Sequence, residues 1–548
     1  DPLAVLPAEI VLRILDFTAP AALAALTRVN WSWHYFIDQD HREAIYATKT
    51  EHPPAARDFA FLENSQSFAK YYGDVASWKD LCKRQTLLGR QWQRSAPVVS
   101  ESIFQVGIDA IWRFKPDFQR RLVLSTSQAG GLCVTDMDDG ERLFSLPREV
   151  VRPFAHLEYQ DGTAVFDREG NAVEVWRVDD TLEARGTLKM VAVLPHEKIT
   201  RGFQLSFDTL CVVSLQGQGF VYENMLHGEP QLKTRMAIDE GATGHLHQCA
   251  DAVAWSQGPH GYHFYDKSSG QCLGVLHPNQ CSTENFFHIA HAEAQGMSDQ
   301  ELLATAATEA SAIRGFPPRK DRTLSVHVQA GPRTTGEPLS IDDDEWGAGM
   351  FDGDLFVGIS RGGRVFVCSN WRKALQDRAS FDASTSVVEC DSDGSTFDLG
   401  GWLSVNNHRV MFEIEERIYV LGLDDDDRVV PAPQPSRPSF HFASSLSPQL
   451  AVPVSFMALY EDCIMTTFTT LALRDRTIFP LAETIRGFLP TKLIRVLSLA
   501  PRLDGDKTMN EGAAPPPAES NPESYESMPG PDLSLFVQML ADEAEDDE

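Results

Sequence analysis

The sequence predicts a multidomain protein of the α plus all-β class, with a helical region at the front and a ring of β-sheets behind it. From Leu6 to Trp92, apolar residues recur mostly at three- and four-residue spacing, which is typical of helices. After residue 98 the apolar residues alternate with polar ones, which is typical of strands. The alternating region also repeats one strand–turn–strand unit, and such repetition is typical of a β-propeller.

Length and composition favour a folded protein of more than one domain. A chain of 548 residues exceeds a typical domain, and 43% hydrophobic residues are enough to build a core. No stretch approaches the ~18 uncharged apolar residues that a membrane span needs, so we expect no membrane association.

The cysteines favour a reducing compartment. Nine cysteines are scattered without CxxC spacing, mostly inside apolar runs, as buried thiols are. The start of the chain lacks a basic segment leading into an apolar run, so we expect no secretory signal. We therefore expect the protein in the cytoplasm, the nucleus or both.

The net charge of −30 is concentrated in a few acidic runs. Residues 511–548 hold eleven acidic residues and no Lys or Arg, and Asp342 to Glu345 and Asp424 to Asp427 hold four acids each. Such runs are mostly solvated loops and tails, and attraction of a basic partner is the alternative. Nucleic-acid binding is disfavoured because phosphate contacts need clustered Lys and Arg.

Three short helices are predicted at the N-terminal end. The first begins at Pro7, whose missing N–H costs nothing at a helix start, and carries Ile10 and Ile14 at helical spacing. The second begins at Pro20, and the third at Asn30, a favourable N-cap residue. Together they carry more apolar surface than so small a unit can bury, so the surplus needs the rest of the chain or a partner.

The order of residues in these helices resembles the F-box. The match runs Leu6-Pro7-x-Glu9-Ile10, Ile14-Leu15, Leu23-x-x-Leu26 and Val29-Asn30-x-x-Trp33. One departure is that Asp38-Gln39-Asp40 is not followed by the usual Trp, so Tyr46 or Ile45 would take its place. The resemblance implies binding to the Skp-type adaptor of a cullin–RING (SCF) ubiquitin ligase. It implies nine adaptor-binding residues: Leu6, Pro7, Ile10, Ile14, Leu15, Leu23, Leu26, Val29 and Trp33.

Some of these nine residues must also fill the core between the three helices, and the sequence does not separate the two groups. The alternative to an F-box is an ordinary helical subdomain that packs on its own core.

Residues 49–97 are predicted to form a helical linker. A short connection at 49–58 is followed by helical spacing from Phe59 to Trp92. The segment from Trp78 to Trp92 is similar to the helical spacer of F-box proteins with WD repeats, which implies a fixed separation between F-box and propeller. A helical cap on the next domain is a compatible interpretation.

The strand–turn–strand unit occurs seven times. The opening strands begin at 122, 163, 210, 252, 355, 409 and 463, so the period is 41 to 54 residues apart from one gap of 103. Paired strands at such a period predict blades, because one blade cannot bury both of its faces alone. The seven units are Arg121–Asp136, Gly162–Val178, Thr209–Tyr222, Ala252–Asp266, Asp354–Cys368, Arg409–Leu423 and Asp462–Asp475.

The long gap leaves the blade count open between seven and eight. We predict seven blades with an insertion at about 280–340, and the eighth-blade alternative would use the strand-like segment Leu324 to Val328. The blades resemble WD repeats only loosely, because the usual Gly-His and Trp-Asp pairs are missing. A pair of β-sandwiches is the structural competitor.

The C-terminal residues 503–548 are predicted to be a disordered acidic tail, since Leu503 to Gly530 is mostly Pro, Glu, Ser and Gly. A short amphipathic helix at 532–541 interrupts the polar composition. Docking of this helix in a groove is as compatible with its sequence as an idle tail or a segment that packs on its own domain.

No sequence motif predicts catalysis. GxSxG, HExxH, P-loop and dinucleotide-binding patterns are missing, so we expect no catalytic residue and no cofactor. His245-Leu246-His247-Gln248-Cys249 places three possible zinc ligands on one strand face, but a zinc site needs a fourth ligand or a water, and we predict no metal. Candidates for contact with a phosphorylated target, by proximity in sequence only, are Arg314, Arg319, Arg322, Arg361 and Arg364.

The resemblance and the repeats together predict a non-catalytic substrate receptor of an SCF ubiquitin ligase. The F-box would occupy 1–48, the linker 49–97, the propeller 98–502 and the tail 503–548. The propeller would bind an unidentified target protein, and the adaptor would connect it to a cullin. The alternatives are an F-box scaffold without a ligase role and a propeller enzyme, which would need carboxylates or His converging at the ring centre.

Overall fold

The structure is a computed structural model. It describes residues 2–53, 56–104, 106, 109–168, 171–179, 181, 185–238, 245–291, 323–333, 344–390, 401–414, 417–432, 437–445, 452–477 and 484–503. Within these ranges, helices come first and β-sheets follow. The described helices include none with the length and apolar character needed to cross a membrane. The predicted tail helix at 532–541 lies outside the described residues.

The N-terminal region consists of short helices. Helices α2 and α3 begin next to the two predicted prolines, and α4 begins after Asn30, whose side chain accepts a hydrogen bond of 3.0 Å from the Trp33 N–H. The elements are α1 Pro2–Val5, α2 Ala8–Asp16, α3 Pro20–Leu26, α4 Trp31–Tyr35, a π-helical turn Phe36–Asp40 and α5 Arg42–Ala47.

Helix α6 (Trp78–Trp92) belongs to two hydrophobic cores at once. It begins at the N-cap Ser77, and its Cys82 packs in the core of the N-terminal helices. Leu81 and Leu88, on another face of the helix, pack against strands of the sheet region. A 3-10 turn at Ala60–Asn64 precedes α6. Because both cores share this helix, the N-terminal helices are attached rigidly to the sheets.

The sheets follow one another as sets of four antiparallel strands, and seven such sets, called blades 1 to 7, lie within the described residues. The strands are β1 Ser100–Phe104, β2 Ile111–Asp117, β3 Leu122–Ser127, β4 Leu132–Asp136, β5 Arg142–Leu146, β6 Leu157–Gln160, β7 Thr163–Arg168, β8 Ala172–Val178, β9 Leu188–Pro195, β10 Thr200–Ser206, β11 Thr209–Ser214, β12 Gln218–Glu223, β13 Gln231–Ala237, β14 Leu246–Gln248, β15 Ala252–Ser256, β16 Tyr262–Asp266, β17 Cys272–Leu276, β18 Phe286–His291, β19 Leu324–Ala330, β20 Trp346–Asp352, β21 Leu355–Ser360, β22 Arg364–Cys368, β23 Thr385–Glu389, β24 Leu403–Asn406, β25 Arg409–Ile414, β26 Arg417–Gly422, β27 Ser439–Ala443, β28 Met457–Leu459, β29 Cys463–Thr477 and β30 Thr484–Ser498.

Blades 1 to 4 are β2–β5, β6–β9, β10–β13 and β14–β17, and blades 5 and 6 are β20–β23 and β24–β27. Blade 7 is completed by the N-terminal strand, because β28, β29 and β30 are joined by β1. Two short helices, α7 Trp371–Ala374 and α8 Arg378–Ser384, lie between β22 and β23.

The blades close into a ring. The first strands of successive blades contact one another in chain order from β2 to β28, and β2 also contacts β29 and β30 of blade 7. The first strands therefore surround the ring axis, and pairing of β1 with β30 joins the two ends of the sheet region. This arrangement is a β-propeller.

Six of the seven predicted strand pairs coincide with the second and third strands of a blade. The prediction for Asp462–Asp475 was wrong, because β29 runs through this segment without a turn and pairs with β30. This segment has no glycine, and its threonines are β-branched residues that favour extended backbone.

The described ends of the 280–340 insertion form a strand pair at the rim of the ring. Strand β18 pairs in parallel with β23 of blade 5, and β19 pairs with β27 of blade 6. Blades 5 and 6 therefore belong to one ten-stranded sheet. The segment Leu324 to Val328 lies in this pair and not in an eighth blade within the described residues.

The carboxylate of Asp462 connects the linker to blade 7. It is fully buried and accepts hydrogen bonds from the Ser67 Oγ at 2.7 Å, the Phe68 N–H at 2.8 Å and the Ala69 N–H at 3.1 Å. Arg121 donates to the Ser67 carbonyl oxygen at 3.1 Å from blade 1. The turns that join first and second strands therefore hold the linker.

We expect Asp462→Ala to lower the free energy of unfolding by about 3 kcal/mol, because several buried donors would lose their acceptor together. Urea unfolding measures this change, and limited proteolysis should cleave the linker faster in the variant. Glu197→Ala removes an exposed acid and is the matched control. Equal stability of the two variants would contradict the connecting role of Asp462.

Candidate functional site

Helix α2 is apolar on two faces. Val11 and Leu15 are 2% and 1% exposed and pack in the core of the N-terminal helices. Ile10 and Ile14, which lie one turn apart on another face, are 49% and 52% exposed. Apolar side chains at this spacing form a continuous row on a helix. We call the exposed row Leu6, Ile10, Ile14 and Phe17 the α2 stripe.

The structure separates the nine predicted adaptor-binding residues into three groups. Leu15 and Leu23 are buried, so they belong to the members of the set that fill the helical core. Leu26 and Trp33 are partly buried against the same core. The exposed members are Leu6, Pro7, Ile10, Ile14 and Val29.

Sequence reasoning left four exposed apolar residues out of the site. Phe17 is 79% exposed, and it extends the α2 stripe by one turn beyond Ile14. The spacing of three residues between Ile14 and Phe17 indicates that both lie on one helix face, so the sequence contained a signal for Phe17. Val5, Trp31 and Tyr35 are also exposed, at 79%, 76% and 55%.

Asp38 holds the end of the helical region together. It is 8% exposed, accepts a hydrogen bond from the Tyr46 hydroxyl at 3.1 Å and pairs with Lys79 of α6 at 2.7 Å. Burial, and then the Asp38 carboxylate, raises the pKa of Tyr46. Tyr46 and Ile45 are both buried, so neither places an aromatic or aliphatic side chain on the surface.

A second group of side chains surrounds the ring axis, carried by or next to the first strands of blades 1, 2 and 4. Glu158 pairs with Lys115 at 3.1 Å and contacts the His156 Nε2 at 2.8 Å. Arg113 is 8% exposed, and its guanidinium lies 3.8 Å from the centre of the Trp402 ring. We call the group of Arg113, Lys115, His156, Glu158, His245 and His247 the axial cluster.

The axial cluster keeps its carboxylate charged and its imidazoles neutral. Burial alone would raise the pKa of Glu158, but Lys115 and His156 lower it to about 2. Burial, and then Arg113, lowers the pKa of His156 to about 4. Burial also lowers the pKa of His245 and of His247 to about 4.

The predicted histidine–cysteine segment has other partners. The His247 Nδ1 accepts a hydrogen bond from the Phe351 N–H at 3.2 Å, and Cys249 donates to Asp251 at 3.2 Å. Within the described ranges, no three ligating side chains lie close enough together to hold a metal ion.

Of the five arginines suggested for a phosphorylated target, two are described. Arg364 is 4% exposed and pairs with Asp344 at 2.7 Å and with Glu389 at 3.1 Å, so its guanidinium supports blade 5. Arg361 pairs with Glu345 at 2.9 Å. Arg314, Arg319 and Arg322 lie outside the described residues.

We expect the stability of the protein to fall as the pH is lowered from 7 to 5. The folded pKa of His156 is about 4 against an ordinary value of 6.5, so the unfolded chain binds more protons between these values. The stability contribution of the neutral imidazole is therefore present above pH 6.5 and is lost as the pH falls towards 4.

Thermal unfolding at pH 7 and pH 5 measures this dependence. His156→Asn should make the melting temperature less dependent on pH, whereas His227→Asn, at an exposed position, should leave the dependence as it is. A steeper dependence in His156→Asn would contradict the burial of a neutral His156.

Comparison with protein-family models and with curated proteins gives no match. Among solved structures, the chain is similar to the computationally designed Ika8 protein, with 13% identity and a TM-score of 0.39 over 72% of this chain and 98% of that one. It is also similar to BamB from Moraxella catarrhalis, with 10% identity and a TM-score of 0.37 over 74% of this chain and 99% of that one. At such low similarity, the propeller assignment rests on the strand pairings of this chain.

Proposed function

We propose that the protein is the substrate-recognition subunit of a cullin–RING (SCF) ubiquitin ligase. The N-terminal helices act as an F-box and bind the Skp-type adaptor, which connects to a cullin. The propeller binds the target protein. This function places the protein in the cytoplasm, the nucleus or both.

The exposed α2 stripe is the observation that carries this proposal. Ile10, Ile14 and Phe17 lie on the surface although Val11 and Leu15 already provide a buried face for the same helix. A row of exposed large apolar side chains on one short helix is typical of a protein interaction site. The resemblance to the F-box implies that the protein bound to this surface is the Skp-type adaptor.

The attachment of the helices to the propeller supports a receptor role. Helix α6 takes part in both cores, and the Asp462 hydrogen bonds hold the linker at one end of blade 7. A target held by the propeller would therefore keep a defined distance from the adaptor. Ubiquitin transfer to that target then gains from a high effective concentration.

The opposite end of the propeller is the surface that we assign to the target. Antiparallel strands place successive turns at opposite ends of a blade, so the starts of the first strands lie away from the turns that hold the linker. Arg113 and His156 lie at or next to these starts and bring charged and polar groups to that end of the axis.

Replacing the α2 stripe tests the adaptor interface. We expect Ile10→Asp with Ile14→Asp to weaken binding to the purified adaptor at least about tenfold, because apolar contacts would become buried charges. Leu6→Ala with Pro7→Ala should likewise abolish adaptor co-purification while the propeller stays folded. Calorimetry and co-purification measure the two effects.

Ile199→Asp is the matched control, because Ile199 is 56% exposed on the propeller and outside the stripe. Undiminished adaptor binding by the stripe variants would exclude the F-box assignment. Adaptor binding without co-purification of a cullin would favour the scaffold alternative.

A propeller enzyme, such as a hydrolase or lyase, is the second candidate, and the axial cluster is the observation that favours it. Lys115 and His156 both contact Glu158 near the ring axis, at 3.1 Å and 2.8 Å. Turnover of chromogenic ester or phosphate substrates that is lost in Glu158→Gln would support this candidate. Absence of turnover in the unmodified protein would favour the receptor.

A further inference from the structure

A polar cavity of about 350 Å³ lies where the linker meets blades 6 and 7. Its walls come from the linker before α6, from the end of α6 and from the turns that join first and second strands in the two blades. The α2 stripe and the axial cluster contribute no residue to it. The cavity is therefore separate from both surfaces used in the proposed function.

The side chain of Arg409 forms one wall of the cavity and is 5% exposed. It donates hydrogen bonds to the Asn407 carbonyl oxygen at 3.1 Å and to the Trp92 carbonyl oxygen at 3.3 Å. Its guanidinium also lies 4.8 Å from the centre of the Trp92 ring. The Nε–H is buried and has no hydrogen-bond partner among the described residues.

Arg409 and Arg113 form no ion pair with a described carboxylate, whereas three other buried arginines do. Arg364 pairs with Asp344 and Glu389, Arg495 pairs with Glu101, and Arg84 pairs with Asp74 and Asp80. No described carboxylate forms an ion pair with Arg409. Burial, and then the charge of Arg437, lowers the pKa of Arg409 to about 10.

A buried cation without a counter-ion is costly, and an anion in the cavity would remove this cost. A guanidinium with unused N–H groups matches the two oxygens of a carboxylate in geometry and charge. The aromatic ring of Trp92 covers one side of the guanidinium, so an anion would reach Arg409 from the cavity.

The other walls restrict the anion to a single negative charge. Glu461 lines the cavity, and partial removal from water, followed by the charge of Asp462, raises its pKa to about 7. One cation and one carboxyl group in the same lining favour an anion with a single charge over a dianion. Side-chain amides of Asn64, Gln66 and Asn406 offer donors and acceptors for uncharged polar groups.

We propose that this cavity binds a small organic monocarboxylate that carries hydroxyl or amide groups, with its carboxylate on the Arg409 guanidinium. Because the cavity is bounded by both the linker and the propeller, the bound molecule stabilises the junction between them. This inference does not depend on the ligase assignment, since it concerns residues that neither the adaptor nor the target needs to contact.

Titration of the full chain with sodium gluconate and sodium lactate tests the proposal. We expect a saturable rise in melting temperature and a binding isotherm by calorimetry, whereas sorbitol and sodium chloride at matched concentration should give neither. A stronger response to inorganic phosphate than to gluconate would overturn the proposal, and so would the absence of any response to both carboxylates.

Two variants assign the binding to the cavity. Glu461→Gln should strengthen gluconate binding severalfold, because it removes a negative charge from the lining of the cavity and keeps the size of the side chain. Arg409→Gln should abolish the response. If Arg409→Gln fails to fold, Asn64→Leu, at an exposed lining position, should still reduce gluconate affinity. Unchanged affinity in Glu461→Gln and Asn64→Leu would place the carboxylate elsewhere and overturn the proposal.

Discussion

The hydrogen bonds received by the Asp462 carboxylate are the constraint on which the arrangement of the whole chain depends. A buried carboxylate on a turn of blade 7 is satisfied by the Ser67 hydroxyl and by two backbone N–H groups of the linker. Desolvating these groups costs free energy unless all of them are paired, so the linker has one favourable position. The place of α6, and with it the place of the N-terminal helices, follows from that position.

Helix α6 transmits this constraint because its faces serve different cores. Cys82 packs with the N-terminal helices, and Leu81 and Leu88 pack with strands of blades 6 and 7. The same region contains Arg84, which pairs with Asp74 and Asp80 and donates to the Tyr71 carbonyl oxygen at 2.5 Å. Helix α6 is therefore held by a polar network and by two apolar cores. These contacts limit rotation of the N-terminal helices relative to the propeller.

The fold was predictable from the sequence where local pattern alone decides it. The repeated strand pairs gave most of the blades, because alternation and turn glycines are local properties. The pattern failed at β29, since a run of threonines looks the same in one long strand as in two short ones. The pairing of β18 with β23 and of β19 with β27 depends on contacts between segments far apart in the chain, and no local signal contains it.

The residues of the candidate site were predictable from the sequence, but which of them are exposed was not. Helical spacing identified Ile10 and Ile14 together with Leu15, and only the packing of α2 against Leu23 and Ile45 shows which face is covered. Arg409 could not be selected at all from the sequence. Its importance comes from the missing carboxylate, and a missing neighbour is a property of three-dimensional packing.

The shared sheet of blades 5 and 6 has a mechanical consequence for the ring. Within the described part of the chain, no other two neighbouring blades belong to one continuous sheet. Separating blades 5 and 6 would require breaking a ladder of main-chain hydrogen bonds, whereas other boundaries depend mainly on the packing of side chains. A force that opens the ring would therefore separate two other neighbouring blades before it separates blades 5 and 6.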